Sequence, residues 1–138
     1  MDDLEFIIER KILHIGNHVI AVRNRDLRGF GLTSSQSEAL LFIARNEGTS
    51  IVALKRHLGV SHQAVQKTVG RLRERGLVRV AVSEDDARVK SVTLLPEGAR
   101  LCEELKKAGA MSGHSIMSRL DEGERRRLLE LLSKLEVD

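Results

Sequence analysis

The sequence predicts a mainly α-helical chain with a small β-hairpin wing: a winged helix-turn-helix carrying further helices at both ends. Three observations predict it. Residues 50–72 hold two short apolar patterns at helical spacing, Ile51, Leu54 and Leu58, then Val65, Thr68, Val69 and Leu72, joined by the turn Leu58-Gly59-Val60-Ser61. The period then changes from about 3.6 to about 2: Val78, Val80 and Val82 share one strand face, Val92 and Leu94 share a return strand, and a charged tip runs from Ser83 to Lys90. Finally, the segments before and after this unit carry more apolar surface than one small domain can cover.

Residues from Asp2 to about Arg25 read as the first helix, because Leu4, Ile7 or Ile8, Ile12, Ile15, Val19 and Val22 recur at three- and four-residue steps. The stripe is too broad for an exposed helix and must be covered, most simply by a second subunit. His14 and His18 lie four apart on one face, the spacing of paired helical metal ligands, yet no HExxH motif, cysteine cluster or nearby carboxylate completes a site. They read as interface or pocket histidines, with a metal pair as the competing reading; no metal is expected. Gly16 is a local weakness between them. Arg28 to Leu32, with Gly29 and Gly31, reads as a loop. Thr33 and Gln36 then match the capping-box spacing of a second helix, with Leu40, Leu41, Ile43 and Ala44 on its buried side and Asn46 to Thr49 closing it.

In the helix-turn-helix, Ser61 stands where the second helix begins and can accept from a free N–H of its first turn, while Gly76 stands where that helix must stop. With a turn of about 100° per residue, Val65, Thr68, Val69 and Leu72 face inward. Gln63, Gln66, Lys67 and Gly70 then face outward, flanked by His62 and Arg71. Amides and cations are the side chains that hydrogen-bond base edges or phosphates, and no acid interrupts the face before Glu74. Gly70 costs about 1 kcal/mol relative to alanine; it either permits close approach to a sugar-phosphate strand or is tolerated drift.

Pro96 fits the first position of the next helix, where its missing N–H costs nothing. Leu101, Leu105 and Ala108 lead to a small-residue patch, Gly109-Ala110-Met111-Ser112-Gly113, which either kinks the helix or lets another pack closely. Cys102 falls on the apolar side and reads as a small buried hydrophobe, the competing reading being a redox-sensing thiol. Asp121 and Glu124 form a second capping-box pattern, opening a last helix striped by Leu128, Leu131, Leu132 and Leu135. Arg125, Arg126 and Arg127 oppose the dipole of that helix and read as a solvated face rather than a second DNA site.

Composition bounds the function. A chain of 138 residues with 41% hydrophobic content is expected to be one domain, 1–138, with the winged helix-turn-helix over 33–95 and dimerisation helices over 1–32 and 96–138. Phe6, Phe30 and Phe42 are the only aromatics, too few for the stacking platforms of single-strand binders, so duplex DNA is the better partner. The net charge of +3 is uneven. Nine Lys and Arg face four acids between Ser50 and Lys90, against fourteen and sixteen elsewhere, which places positive charge where phosphates would lie. A single cysteine permits no internal disulfide. With no signal peptide and no apolar run long enough to span a bilayer, the expectation is a cytoplasmic protein without a membrane partner.

The run LGVSHQAVQKTVGRLRERGLV, followed by DDARVKSVTLLPEG, resembles the MarR family of bacterial transcriptional regulators, and the upstream GLTSSQSEALLFIARNEG is similar to that family's second helix. The family's wing pattern of acid, spacer and arginine falls on Asp86, Ala87 and Arg88. One departure is Leu95, where the family usually has a threonine that caps the next helix. The resemblance implies a homodimer and often a small phenolic or carboxylate effector, bound in a cleft between the dimer helices and the winged domain. With so few aromatics a phenol-stacking pocket would be poor here, which leaves open a repressor without an inducer.

These readings converge on a sequence-specific, dimeric DNA-binding transcriptional regulator, more readily a repressor than an activator. Gln63, Gln66 and Lys67 are expected at base edges, His62 and Arg71 at bases or phosphates, and Ser61 at the helix cap and backbone. Arg88 is expected in the minor groove and Lys90 on phosphate, with Asp86 either orienting Arg88 or serving as a turn residue. No catalytic constellation and no cofactor motif is present, so no enzyme is expected. The alternative is a winged-helix protein-interaction module, which calls for an apolar or acidic outward face in place of the amide-rich, basic one.

Overall fold

Asp3 accepts a hydrogen bond from the Glu5 N–H at 2.8 Å and opens helix α1, Leu4–Gly29. The computed structural model describes residues 3–136, so the expected helix start at Asp2 lies outside the described residues. The first helix runs four residues beyond Arg25, and Gly29 belongs to it rather than to a loop. The physical reason is Leu27, which is buried in the core and holds the last turn in place, while Gly31, at φ 67°, makes the left-handed exit.

Helix α2, Ser34–Arg45, opens on the expected capping box: Thr33 Oγ1 accepts from the Gln36 N–H and the Gln36 side chain accepts from the Thr33 N–H. Its buried side is Ala39, Leu40 and Ile43; Leu41 and Ala44, expected there, sit at the edge and are half-buried. Strand β1, Thr49–Ser50, was not legible, since two residues carry no period. Ser50 also caps helix α3, Ile51–Leu58, by accepting from the Ala53 N–H at 3.0 Å. Gly59, at φ 64°, turns the chain toward helix α4, His62–Glu74.

Strands β2, Val78–Val82, and β3, Lys90–Leu94, pair antiparallel with Val80 opposite Val92 and Val78 opposite Leu94, and β1 joins the other side of β3 to give the order β1-β3-β2. Lys90 therefore begins β3 instead of ending the charged tip. The shared face of β2 fades along its length: Val78 is buried, Val80 half-buried and Val82 52% exposed, because the hairpin leaves the core as it extends.

One core joins these elements through Leu40 and Ile43 of α2, Leu54 of α3, Val65 and Leu72 of α4, Val78 and Val92 of the sheet, and Cys102. Each such side chain contributes about 1.5–3 kcal/mol on burial. Helix α5, Pro96–Ile116, starts at Pro96 with no side-chain cap from Leu95. Its first turn is fixed instead by a backbone bond from the Leu95 N–H to the Leu77 carbonyl at 2.9 Å. α5 runs unbroken through the small-residue patch, where Ser112 Oγ donates to the Asp26 carboxylate of α1, so that stretch serves close packing. Helix α6, Glu122–Leu135, opens on the capping box of Asp121 and Glu124.

The arginine run of α6 is only partly a solvated face. Arg126 and Arg127 pair with Glu122 and Glu130 on their own helix, but half-buried Arg125 donates twice to the Met117 carbonyl, at 3.1 and 3.3 Å, and closes the α5–α6 turn. Within the chain α6 buries none of its described residues, and α1 leaves Leu4, Phe6, Ile12, Leu13, Ile15 and Ile20 exposed.

Candidate nucleic-acid interface

Helix α4 is held from three sides. Ser61 Oγ accepts from the Ala64 N–H at 3.1 Å, Val65, Val69 and Leu72 are sunk in the core, and Gly76, at φ 73°, ends the helix while the Leu77 N–H returns to the Leu72 carbonyl at 3.0 Å. With the inward side fixed, the outward side follows. His62, Gln63, Lys67 and Arg71 are exposed, whereas Gln66, Gly70 and Thr68 are half-buried. A side chain at Gly70 would meet nothing within 4 Å, so the helix face is open there.

The wing tip is ordered by short-range bonds. The Ser83 N–H donates to the Val89 carbonyl at 2.8 Å, and the Val89 N–H to the Asp86 carbonyl at 3.0 Å. Asp86 plays both of the roles weighed for it: Oδ1 accepts from the Arg88 backbone N–H at 2.9 Å, and the two carboxylate oxygens grip the guanidinium at 3.1 and 3.2 Å. These bonds, the side-chain one foremost, hold the Asp86 carboxyl below the usual carboxylate range. The Arg88 side chain is otherwise free, 92% exposed at the tip.

The structure brings four of the named residues to one cleft. About 320 Å³ of open space is lined by His62 and Gln66 of α4, Arg88 and Lys90 of the wing, and Ile51 and Val52 of α3. Gln63, Lys67 and Arg71 lie outside it on the exposed side of α4. From His62 to Arg71 the outward side of α4 presents amides and cations, and on the wing Asp86 is paired with Arg88 while Glu84 and Asp85 are exposed beside it. Such a surface can hydrogen-bond base edges and neutralise phosphates.

Two supporting contacts were not visible in the sequence. Arg75, at the end of α4, donates to the carbonyls of Gly31 and Phe30 at 3.1 and 3.3 Å and ties the helix to the α1–α2 turn. Glu38 of α2 pairs with Arg23 of α1 and lies 3.6 Å from His57 of α3, whose ring stacks on Phe42 at 4.3 Å. Neither has a local signal, since the partners are far apart in sequence.

The remaining candidates separate from this surface. His14 and His18 are exposed on α1, and among the described residues no group of three His, Cys, Asp or Glu is placed to hold a metal ion. Cys102 is buried and donates to the Leu40 carbonyl at 3.6 Å, and burial pushes its thiol pKa up, as a packed hydrophobe requires. No described helix is long and apolar enough to cross a membrane.

Known proteins share this arrangement. Residues 30–89 match the model of the MarR family. A Thauera aromatica protein described as a candidate transcriptional regulatory protein for the hcr operon is 30% identical over 105 residues, covering 76% of this chain and 63% of that protein. The chain thus spans less than two thirds of that relative's length. Among solved structures, a cysteine-to-serine mutant of MarR from E. coli in complex with operator DNA is 25% identical, with a TM-score of 0.79 over 99% of this chain and 100% of that one. The apo form of wild-type E. coli MarR shares the fold at 24% identity, with a TM-score of 0.83 over 99% and 98% of the two chains. The chain thus shares the fold of MarR over nearly its full length, and its residues 30–89, which hold the helix-turn-helix and the first strand and tip of the wing, match the MarR family model.

Proposed function

We propose that this chain is a sequence-specific transcriptional regulator, a repressor that binds duplex DNA as a homodimer and performs no catalysis. The observation that carries the reading is the junction of α4 and the wing. An exposed row of amides and cations stands on a buried, capped helix, beside an arginine already aimed by its own carboxylate. In the proposed complex α4 enters the major groove, with Gln63, Gln66 and Lys67 at base edges, His62 and Arg71 at bases or phosphates and Ser61 near the backbone. Arg88 enters the minor groove and Lys90 meets phosphate. The exposed stripes of α1 and α6 supply the twofold interface, which sets two α4 helices about 34 Å apart, one turn of the duplex. The dimer works in the cytoplasm, where the chromosome is. Its boundaries follow the elements: a winged unit over 33–95 with dimerisation helices on either side.

Relief by a small-molecule effector is a second component of the reading. Its support is a largely apolar cleft of about 280 Å³ between α1, α2 and α5, lined by Val22, Leu27, Phe30, Leu41 and Leu105. A ligand there lowers DNA affinity only through its preference for one spacing of the two α4 helices.

The test is capture of genomic fragments by the purified chain, followed by footprinting. The reading expects an enriched fragment with two protected half-sites about one helical turn apart. A chain that enriches no duplex sequence would instead behave as a protein-interaction module.

A further inference from the structure

Among the outward residues of α4, Gln66 alone is constrained by a neighbouring side chain. Its amide nitrogen lies 3.4 Å from the Nε2 of His62, one helical turn back, whereas Gln63 and Lys67 stand fully exposed. Gln66 is also half-buried and, with Ile51 of α3 and Lys90 of the wing, lines two adjoining clefts. The amide thus has one side-chain partner, His62, and what decides its reading edge is which end it turns toward that ring.

Histidine chemistry fixes that choice. With the imidazole in its Nδ1–H form, Nε2 accepts the Gln66 N–H that points away from the side-chain oxygen. The other N–H and the oxygen then form the free edge, donor beside acceptor, which matches N7 and the 6-amino group of adenine. An amide so placed loses less side-chain freedom on binding than an unheld one. Resting on the DNA-binding function proposed above, we infer that His62 is a positioning residue that turns the Gln66 amide to read adenine in each half-site.

Protonation reverses the arrangement. A doubly protonated His62 cannot accept, so the amide must present its oxygen to the ring, which exchanges donor and acceptor at the reading edge. The charged groups from other elements that line the cleft with His62 are Arg88 and Lys90 of the wing; β1 contributes the uncharged Ser50, and α3 contributes Ile51 and Val52. No acid lines this cleft.

The experiment selects binders from a random duplex DNA library with the wild type, His62→Ala, His62→Gln, Gln66→Ala and the double alanine variant, at about pH 8 and about pH 5.5. The two altered sites are exposed (His62) and half-buried (Gln66), and equal thermal melting establishes that the four variants fold. At the higher pH the wild type is expected to favour adenine at one position of each half-site by roughly 5- to 150-fold. Gln66→Ala erases that preference, and His62→Ala lowers it by roughly 2- to 10-fold at the same position, with no further loss in the double variant. His62→Gln, which keeps an accepting oxygen, restores it and makes it insensitive to pH, whereas the wild type loses it at the lower pH. If His62→Ala spares the Gln66 position, or changes a different one, the positioning role is overturned while the DNA-binding function stands. If no protein enriches any sequence, both fall.

Discussion

At the wing tip the guanidinium of Arg88 spans both oxygens of Asp86, at 3.1 and 3.2 Å, while the Arg88 backbone N–H donates to the same carboxylate. One side chain thus closes the turn and aims the cation. Asp86 titrates below its ordinary range, first because of the Arg88 side chain and then its backbone N–H. A depressed folded-state pKa means the pair's contribution is complete above about pH 4 and fades as pH falls through the lowered value. Replacing Arg88 by Ala is expected to weaken duplex binding on the order of tenfold. Asp86→Asn should weaken it less, because the cation remains but is no longer held. Fluorescence anisotropy titrations at neutral pH check both, and an Asn variant that binds like the wild type would remove the orienting role.

Gly98 underpins the joint between the wing and α5. A Cβ there would sit 2.1 Å from the Leu77 carbonyl oxygen and 3.2 Å from Leu94 Cδ2, and the first neighbour is backbone that already accepts from the Leu95 N–H. Gly98→Ala should cost about 1–3 kcal/mol, lowering Tm by roughly 3–12 °C. Thermal denaturation followed by circular dichroism measures it; an unchanged Tm would mean that the joint yields freely.

The apolar stripes of α1 and α6 should associate. Ile12 and Leu132 are 44% and 41% exposed within the chain, so Ile12→Glu with Leu132→Glu leaves the core untouched. Light scattering is expected to give twice the 15.4 kDa chain mass for the wild type and the single mass for the double variant. Losing the second half-site should weaken operator binding by at least about 100-fold. A double variant that remains dimeric would move the interface elsewhere.

Cys102 is expected to be inert in the folded protein. Burial raises its pKa above the ordinary thiol value, so the stability tied to this site is full below that value and declines as pH rises through the raised one. A thiol-reactive chromogen should label Cys102 slowly under native conditions and fully in denaturant. Rapid native labelling would contradict its packing against Leu40.

What the sequence discloses is local, and what it conceals is not. Thr33 with Gln36, Asp121 with Glu124, and Ser61 before α4 signal helix starts within four residues, and all three form. The inward face of α4 follows from the helical period, which leaves the outward face by elimination. Leu27 extends α1 only because it meets the core, and Arg75 reaches carbonyls more than forty residues away. Two-residue β1 exists because β3 offers it partners, and Gly98 is needed because Leu77 lies against it. None of these has a pattern in its own neighbourhood. The wing shows both kinds of information: Asp86 and Arg88 are two residues apart, whereas the cleft that joins Arg88 to His62 and Gln66 needs the folded hairpin.

The most direct measurement is the affinity of the purified chain for its selected duplex as a function of salt. Lys67, Arg71, Arg88 and Lys90 provide four cations per protomer on the proposed surface. Full engagement in a dimer gives a log-log slope of about −7, and Lys67→Ala should reduce its magnitude by about 2 if that residue meets phosphate in each half. An affinity that stays constant as salt is raised, and is indifferent to Lys67 and Arg88, would contradict the placement of this face against DNA.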